Sequence, residues 1–143
     1  MITVALRYFD KFAPNGGTIL AHQKMIDNNS FVYYGKLGTP LSKTVIEQLM
    51  NNEDKRFLLI HSGKQDRYWM HYELVTRDEV DVQNIPEYYR DRVSDFKTWF
   101  KVVGIETAPK DVMSHCYVNS SNRPLGEVSK HSMSPYFIIR VDE

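Results

Sequence analysis

The chain has 143 residues, 42% of them apolar and 25% charged, the size and balance of one globular domain able to bury roughly 68–70% of its unfolded surface. Lys plus Arg equals Asp plus Glu at 18 each. That weakens the case for a bulk, sequence-blind nucleic-acid binder held by phosphate neutralisation and leaves room for a local basic patch.

The opening MITVALRYFDKF carries both acidic and basic residues and no long apolar core, so it does not read as a signal peptide. No segment approaches the roughly 18–20 apolar residues of a membrane span. The lone cysteine, Cys116, excludes an internal disulfide, and no Cys/His spacing fits a zinc site. A reducing, cytoplasmic location without metal or other cofactor is the expectation.

Thr3–Phe9 alternates, with Val4, Leu6 and Tyr8 on one face, and predicts a strand. Ala13–Gly17 is a turn cluster. Thr18 is placed to cap a short helix whose Ile19, His22, Met25 and Ile26 fall near one face. The next strand, FVYYG, ends in paired tyrosines, Tyr33 and Tyr34. Adjacent strand residues point to opposite faces, so at most one of these rings belongs to the core. Ser42 caps KTVIEQLMNN, where Val45, Ile46, Leu49 and Met50 form an inward stripe.

Arg56–Ser62 is a continuous apolar run and predicts a central strand. Gly63–Asp66 has hairpin chemistry. The following Arg67–Val75 alternates Tyr68, Met70, Tyr72 and Leu74 against Trp69, His71, Glu73 and Val75. A polar, proline-containing loop, long enough to suggest function, runs from Thr76 to about Lys97. Thr98–Glu106, VMSHCYV and Pro135–Val141 predict further strands, and LGEVSKHS a short helix. Tyr8, Phe9, Phe57, Phe100 and Phe137 are assigned to the core, as are Trp69, Trp99 and Cys116. Five to seven short strands with two or three small helices imply a single α+β domain built on a curled mixed sheet or small β-barrel.

The order RYF, helix, FVYYGKLG…LSKTVIEQL, RFLLIHSGKQDRYWMHYEL, and then WFKVVGIETAPKDVMSHCYVNSSNRPLGEVSK resembles the YTH domain. The same outline serves EVE, ASCH and PUA domains, so the chain is similar to the PUA-like superfamily, YTH/EVE branch. That resemblance implies a PUA-like fold and a reader of a modified nucleobase in RNA or DNA, held between aromatic rings with its edge on polar groups. Carried over, Tyr33 or Tyr34 stands where the family's first cage tryptophan sits. Tyr88 and Tyr89, in IPEYYRD, lie in the loop that holds the second. Asn15 occupies the region of a polar base contact.

The residues support a similar reading independently. Ring pairs suit any nucleobase, because every base offers a π-face. Lys36 lies beside the first ring pair, Arg90 and Arg92 beside the second, and Asn122, Arg123 and Lys130 in the late loop, as candidate base-edge or phosphate contacts. Two other functions fit the same chain. One is an ASCH-like small hydrolase acting on nucleosides or RNA, with His71 and Glu73 on one strand face as its acid–base pair. The other is a sensor or sponge for a free nucleotide.

Overall fold

The computed structural model describes residues 1–142. Its elements are β1 (Ile2–Arg7), α1 (Gly17–Asn29), β2 (Val32–Leu37), α2 (Lys43–Asn51), β3 (Arg56–His61), β4 (Lys64–Thr76), β5 (Phe96–Thr107), β6 (Cys116–Val118), α3 (Leu125–Lys130) and β7 (Tyr136–Val141). Between β4 and β5 the chain winds through short 3-10 turns at Val82–Asn84 and Glu87–Asp95, the second kinked at Tyr89 and Arg92. A further one, Val112–His115, leads into β6.

Among the described residues the seven strands form one mixed sheet in the order β2-β5-β4-β3-β1-β7-β6. β1 and β3 pair in parallel and the remaining neighbours antiparallel. The sheet is curled but open. Its edge strand β2 reaches toward β7 without pairing with it, and the Lys36 ammonium lies 4.3 Å from the centre of the Tyr136 ring across that seam. The fold is thus α+β, with the open-sheet form of the two expected.

The apolar run of β3 has the two-sided burial that its composition predicts. Phe57 and Leu59 join the concave-side core with Val4, Leu6, Tyr34, Met70, Tyr72 and Phe100. Leu58 and Ile60 join a second core with Ala5, Trp69, Cys116 and Leu125. The amphipathic helices close the first core: Ile19, Met25 and Ile26 of α1, and Val45, Ile46, Leu49 and Met50 of α2. Ser42 caps α2 as expected, its hydroxyl accepting the Val45 amide at 3.2 Å. A third, smaller core packs Ile85, Tyr89 and Trp99 with Tyr33, Val93 and Phe96, so the long β4–β5 connection covers the outer side of β2 and β5.

Four local expectations are corrected. Thr18 is inside α1 rather than capping it; the cap position is Gly16, at φ 99°. The Asp10 carboxylate accepts the Thr18 amide from outside the helix, at 2.9 Å. The β3–β4 turn is only Ser62–Gly63, because His61 pairs with Lys64 and the strand begins at once. The alternation of β4 breaks at bulges between His71 and Leu74, so Val75 is buried (3% exposed) and Leu74 is not (38%). A bulge adds a residue and reverses the parity beyond it. Phe9 lies past the end of β1 and is 60% exposed instead of core.

β2 approaches the third core so closely that a side chain at Gly35 has no room: a Cβ there would lie 2.5 Å from Phe96 Cδ1 and 2.6 Å from Trp99 Cζ3. Gly35→Ala is expected to lower stability by about 1–3 kcal/mol, the usual range for overpacking. It should appear as a lower urea midpoint with an unchanged m-value.

Candidate functional site

The concave face opens at the C-terminal end of β1 into a cavity of about 260 Å³. β1 leads into it through Leu6, Arg7 and Tyr8, and the loop that follows adds Phe9, Lys11 and Phe12. Asp10 fixes that loop. It accepts the Thr18 amide and, at 2.5 Å, the Lys64 ammonium, while the Thr18 hydroxyl donates to the Phe9 carbonyl at 3.0 Å. Burial pushes the Asp10 carboxyl up, but those donors outweigh it and hold it below its ordinary value.

Strand alternation turns Tyr34 and Lys36 of β2 inward, and α1 contributes Thr18 and His22. Tyr88, Tyr89 and Arg92 arrive from the 3-10 segment, with Phe96 and Pro135 completing the wall. Tyr34 and Tyr89 both pack against the His22 ring, at centroid distances of 5.0 and 5.9 Å. Tyr88 meets Tyr89 edge-on at 4.9 Å.

A buried relay holds these elements together. His22 Nδ1 lies 2.8 Å from the Thr18 carbonyl and Nε2 lies 3.0 Å from the Tyr89 hydroxyl. That hydroxyl is also 3.2 Å from the Tyr33 carbonyl. A carbonyl only accepts, so Nδ1 carries the ring proton, and the single phenol proton lies between two acceptors, Nε2 and the Tyr33 carbonyl. Burial holds the imidazole neutral, lowering its pKa to about 4.

The phenols separate by their partners. Tyr72 donates to the Leu49 carbonyl at 2.7 Å, and Tyr89 is in the relay. Tyr8 and Tyr34 also line the cavity, and their hydroxyls have no hydrogen-bond partner among the described residues. Burial raises both phenols, Tyr8 to about 12 and Tyr34 further. Both therefore stay protonated at neutral pH and can donate.

The wall is one-sided in charge. Lys11, Lys36 and Arg92 line it, and no carboxylate does, although the whole chain is neutral; Arg7 also borders it, but its guanidinium turns to the other face of the sheet, over Phe137. Phe12 projects at the rim, 62% exposed, with Arg92 and Lys11 over its ring at 5.1 and 5.4 Å.

Of the residues singled out in the sequence, the fold brings Tyr34, Tyr88, Tyr89, Lys36 and Arg92 to this one cavity. Tyr33 faces the other side of β2 against Phe31 and supplies only its carbonyl. Asn15 is exposed in the β1–α1 loop, outside the cavity wall. Arg90 turns back to the Ile85 and Gln83 carbonyls, at 2.9 and 3.3 Å, and braces its own turn. Asn122 is a left-handed turn residue (φ 59°) accepting from Arg140, and Arg123 pairs with Glu127. Arg140 is at the far end of β7 from the cavity, and neither Asn122 nor Arg123 is in the cavity wall. Lys130, exposed at the end of α3, is also outside the wall. His71 and Glu73 do not share a proton: His71 pairs with Glu106 at 3.1 Å and Glu73 with Lys101 at 3.3 Å. Arg7, Lys11, Phe12 and His22 were not singled out as site residues. For Arg7, Lys11 and Phe12 the signal was the run RYFDKF, in which cations and rings interleave where a strand ends.

A PUA-like family model matches residues 4–139, and the chain belongs to that family. PUA-like domains generally bind RNA or other nucleic acids. No curated protein and no solved structure matches the chain significantly. No helix among the described residues is long and apolar enough to cross a membrane, and no group of side chains there is arranged to hold a metal ion.

His22 makes stability depend on pH. Its unfolded pKa is 6.5 and its folded pKa about 4, so the unfolded chain binds the extra proton between these values. The contribution is full above pH 6.5 and is lost as pH falls to about 4, amounting to about 3 kcal/mol. Urea unfolding of the wild type and His22→Gln across this window should show their stability difference shrinking by about that amount. A constant difference would mean that the imidazole is not held neutral.

Proposed function

We propose that the chain is a non-enzymatic nucleic-acid-binding module that captures one nucleobase, a modified one, from a single-stranded or flipped-out position. The observation that carries this reading is the cavity itself. Three phenols from three separate segments, Tyr8, Tyr34 and Tyr88, line one apolar recess whose charged lining residues are all cationic. Membership of a family that generally binds nucleic acids sets the ligand class.

At about 260 Å³ the recess is slightly smaller than the roughly 300–1,000 Å³ of drug-sized pockets, which suits one planar heterocycle better than a stretch of polymer. Tyr88 and Phe12 offer ring surface for stacking. The unpartnered Tyr8 and Tyr34 hydroxyls offer hydrogen bonds to a base edge, the kind of contact that rejects a wrong partner most strongly. The modified-base element comes from the YTH/EVE resemblance, and the apolar wall of Leu6 and Phe96 gives an added methyl a dry place to sit.

A hydrolytic function has less to stand on in this recess. The Thr18 hydroxyl is committed to the Phe9 carbonyl, and His22 Nδ1 to the Thr18 carbonyl. No lining carboxylate is available to act as general base.

Fluorescence anisotropy with short single-stranded oligonucleotides, carrying modified or unmodified bases, tests the reading. Tyr88→Ala should weaken binding by about 1–3 kcal/mol, the value of one base stacked on one ring. Tyr34→Phe should narrow the difference between modified and unmodified ligands. Far-UV circular dichroism should match the wild type in both variants. Undiminished binding in both would place the ligand elsewhere.

A further inference from the structure

The residues that line the cavity divide by exposure. The floor, with Tyr8, Tyr34, Tyr89 and His22, is buried. Six lining residues are exposed, and they are of two kinds only: the apolar Phe9, Phe12, Leu37 and Pro135, and the cationic Lys11 and Arg92. Large apolar side chains on a surface are ordinary when scattered singly. Here three of the seven among the described residues, Phe9 (60% exposed), Phe12 (62%) and Leu37 (43%), line one opening.

The exposure of Phe9 and Phe12 is fixed by the backbone that carries them. The Tyr8 amide donates to the Ile60 carbonyl at 2.9 Å, and the Ala13 amide closes a turn on the Asp10 carbonyl at 3.1 Å. The Thr18 hydroxyl holds the Phe9 carbonyl, and the Asp10 carboxylate holds the Thr18 amide and the Lys64 ammonium. That carboxylate is committed to those partners, and Lys11 has no ion pair among the described residues. Arg92 pairs with Asp95 at 3.6 Å. Both cations lie over the Phe12 ring, at 5.4 and 5.1 Å. They hold charge beside the ring and leave most of it open to water.

Ring surface with a cation beside it matches the two parts of a nucleotide, its base and its phosphate. The recess has room for one heterocycle, so the next base of a strand must lie outside it, at the mouth. We infer that this rim is a second nucleotide site. It takes the nucleotide adjoining the captured base in the same strand, with the base against Phe12 and Phe9 and the phosphodiester at Lys11 and Arg92. The inference rests on the nucleobase reading and deepens it, because it makes the ligand a single strand rather than a free nucleotide.

Fluorescence-anisotropy competition with mixed-sequence single-stranded RNA and DNA of one, two, three and five nucleotides tests it. Affinity should rise roughly five- to hundredfold between one nucleotide and two or three, the value of one stacked base, with little further gain at five. Phe12→Ala should remove most of that rise, and Phe12→Trp should keep it. Lys11→Gln should flatten the slope of log affinity against log salt by about 0.7, one phosphate contact on a single strand. Both side chains are exposed, so far-UV circular dichroism and the urea midpoint should stay at their wild-type values. Equal binding of one and five nucleotides overturns the rim site and leaves the base reading standing. A length-dependent rise that Phe12→Ala removes, but that Tyr34→Phe and Tyr88→Ala leave untouched together with all other binding, upholds the rim and overturns the base reading. Displacement by a polyglutamate peptide as readily as by the pentanucleotide, or a dimer in sedimentation that Phe12→Ala abolishes, gives the rim another occupant and overturns the site.

Discussion

The arrangement of the cavity depends on one phenolic oxygen. Tyr89 Oη stands within hydrogen-bond distance of His22 Nε2 and of the Tyr33 carbonyl. It thereby ties α1, the irregular β4–β5 connection and the edge strand β2. The connection is distant in the chain from α1 and β2, and no strand pairing links it to them. A connection as long as residues 77–95 would carry a large ordering cost if left in solvent. It is held instead by a small outer core and by a hydrogen bond whose loss would strand a buried ring nitrogen. Because His22 is neutral and bonded on both sides, the same contact keeps a charge out of the centre of the molecule. Tyr88 and Arg92, next along the segment, reach the cavity because Tyr89 is anchored.

The fold then sorts charge that the composition leaves balanced. On the convex surface and at the strand ends, carboxylates are consumed in pairs: Glu73 with Lys101, Asp54 with Arg56, Glu127 with Arg123. Such exposed pairs add little stability, but each removes an anion from the field that the cavity sees. Carbonyls at the end of β2 and in the β2–α2 connection hold Lys36 at the recess without neutralising it. A neutral protein thus presents a cationic recess, and the polarity comes from topology rather than from net charge.

Much of the frame could be read from the sequence, because it rests on periodicity. The inward stripe of α2, the two-sided burial of β3 and the face of α1 that carries His22 all follow from spacing alone. What escaped depends on single-residue insertions and on irregular backbone. The β4 bulges reverse which of Leu74 and Val75 is buried, and no composition signal marks them. Which of two neighbouring arginines enters the cavity is set by the 3-10 kink at Tyr89 and Arg92. Arg90 therefore braces a turn while Arg92 lines the recess. For the tyrosine pair of β2, alternation correctly divides the rings between faces. It could not say that Tyr34, rather than Tyr33, points inward, since both sides of that strand are covered.

Hydrogen-bond accounting distinguishes structural phenols from the ones that remain available. Buried tyrosines usually place their hydroxyl on a partner, since an unmet donor in a dry interior costs free energy. Tyr72 and Tyr89 obey this and serve as pegs between elements. Tyr8 and Tyr34 pack their rings into the same core, yet both residues line the cavity and their hydroxyls have no partner among the described residues. Packing alone explains rings at these positions but not hydroxyls, because phenylalanine would fill the core equally well. The combination of two free donors and a buried lysine without a paired carboxylate around one recess is costly for a core, and it is complementary to a guest that carries acceptors.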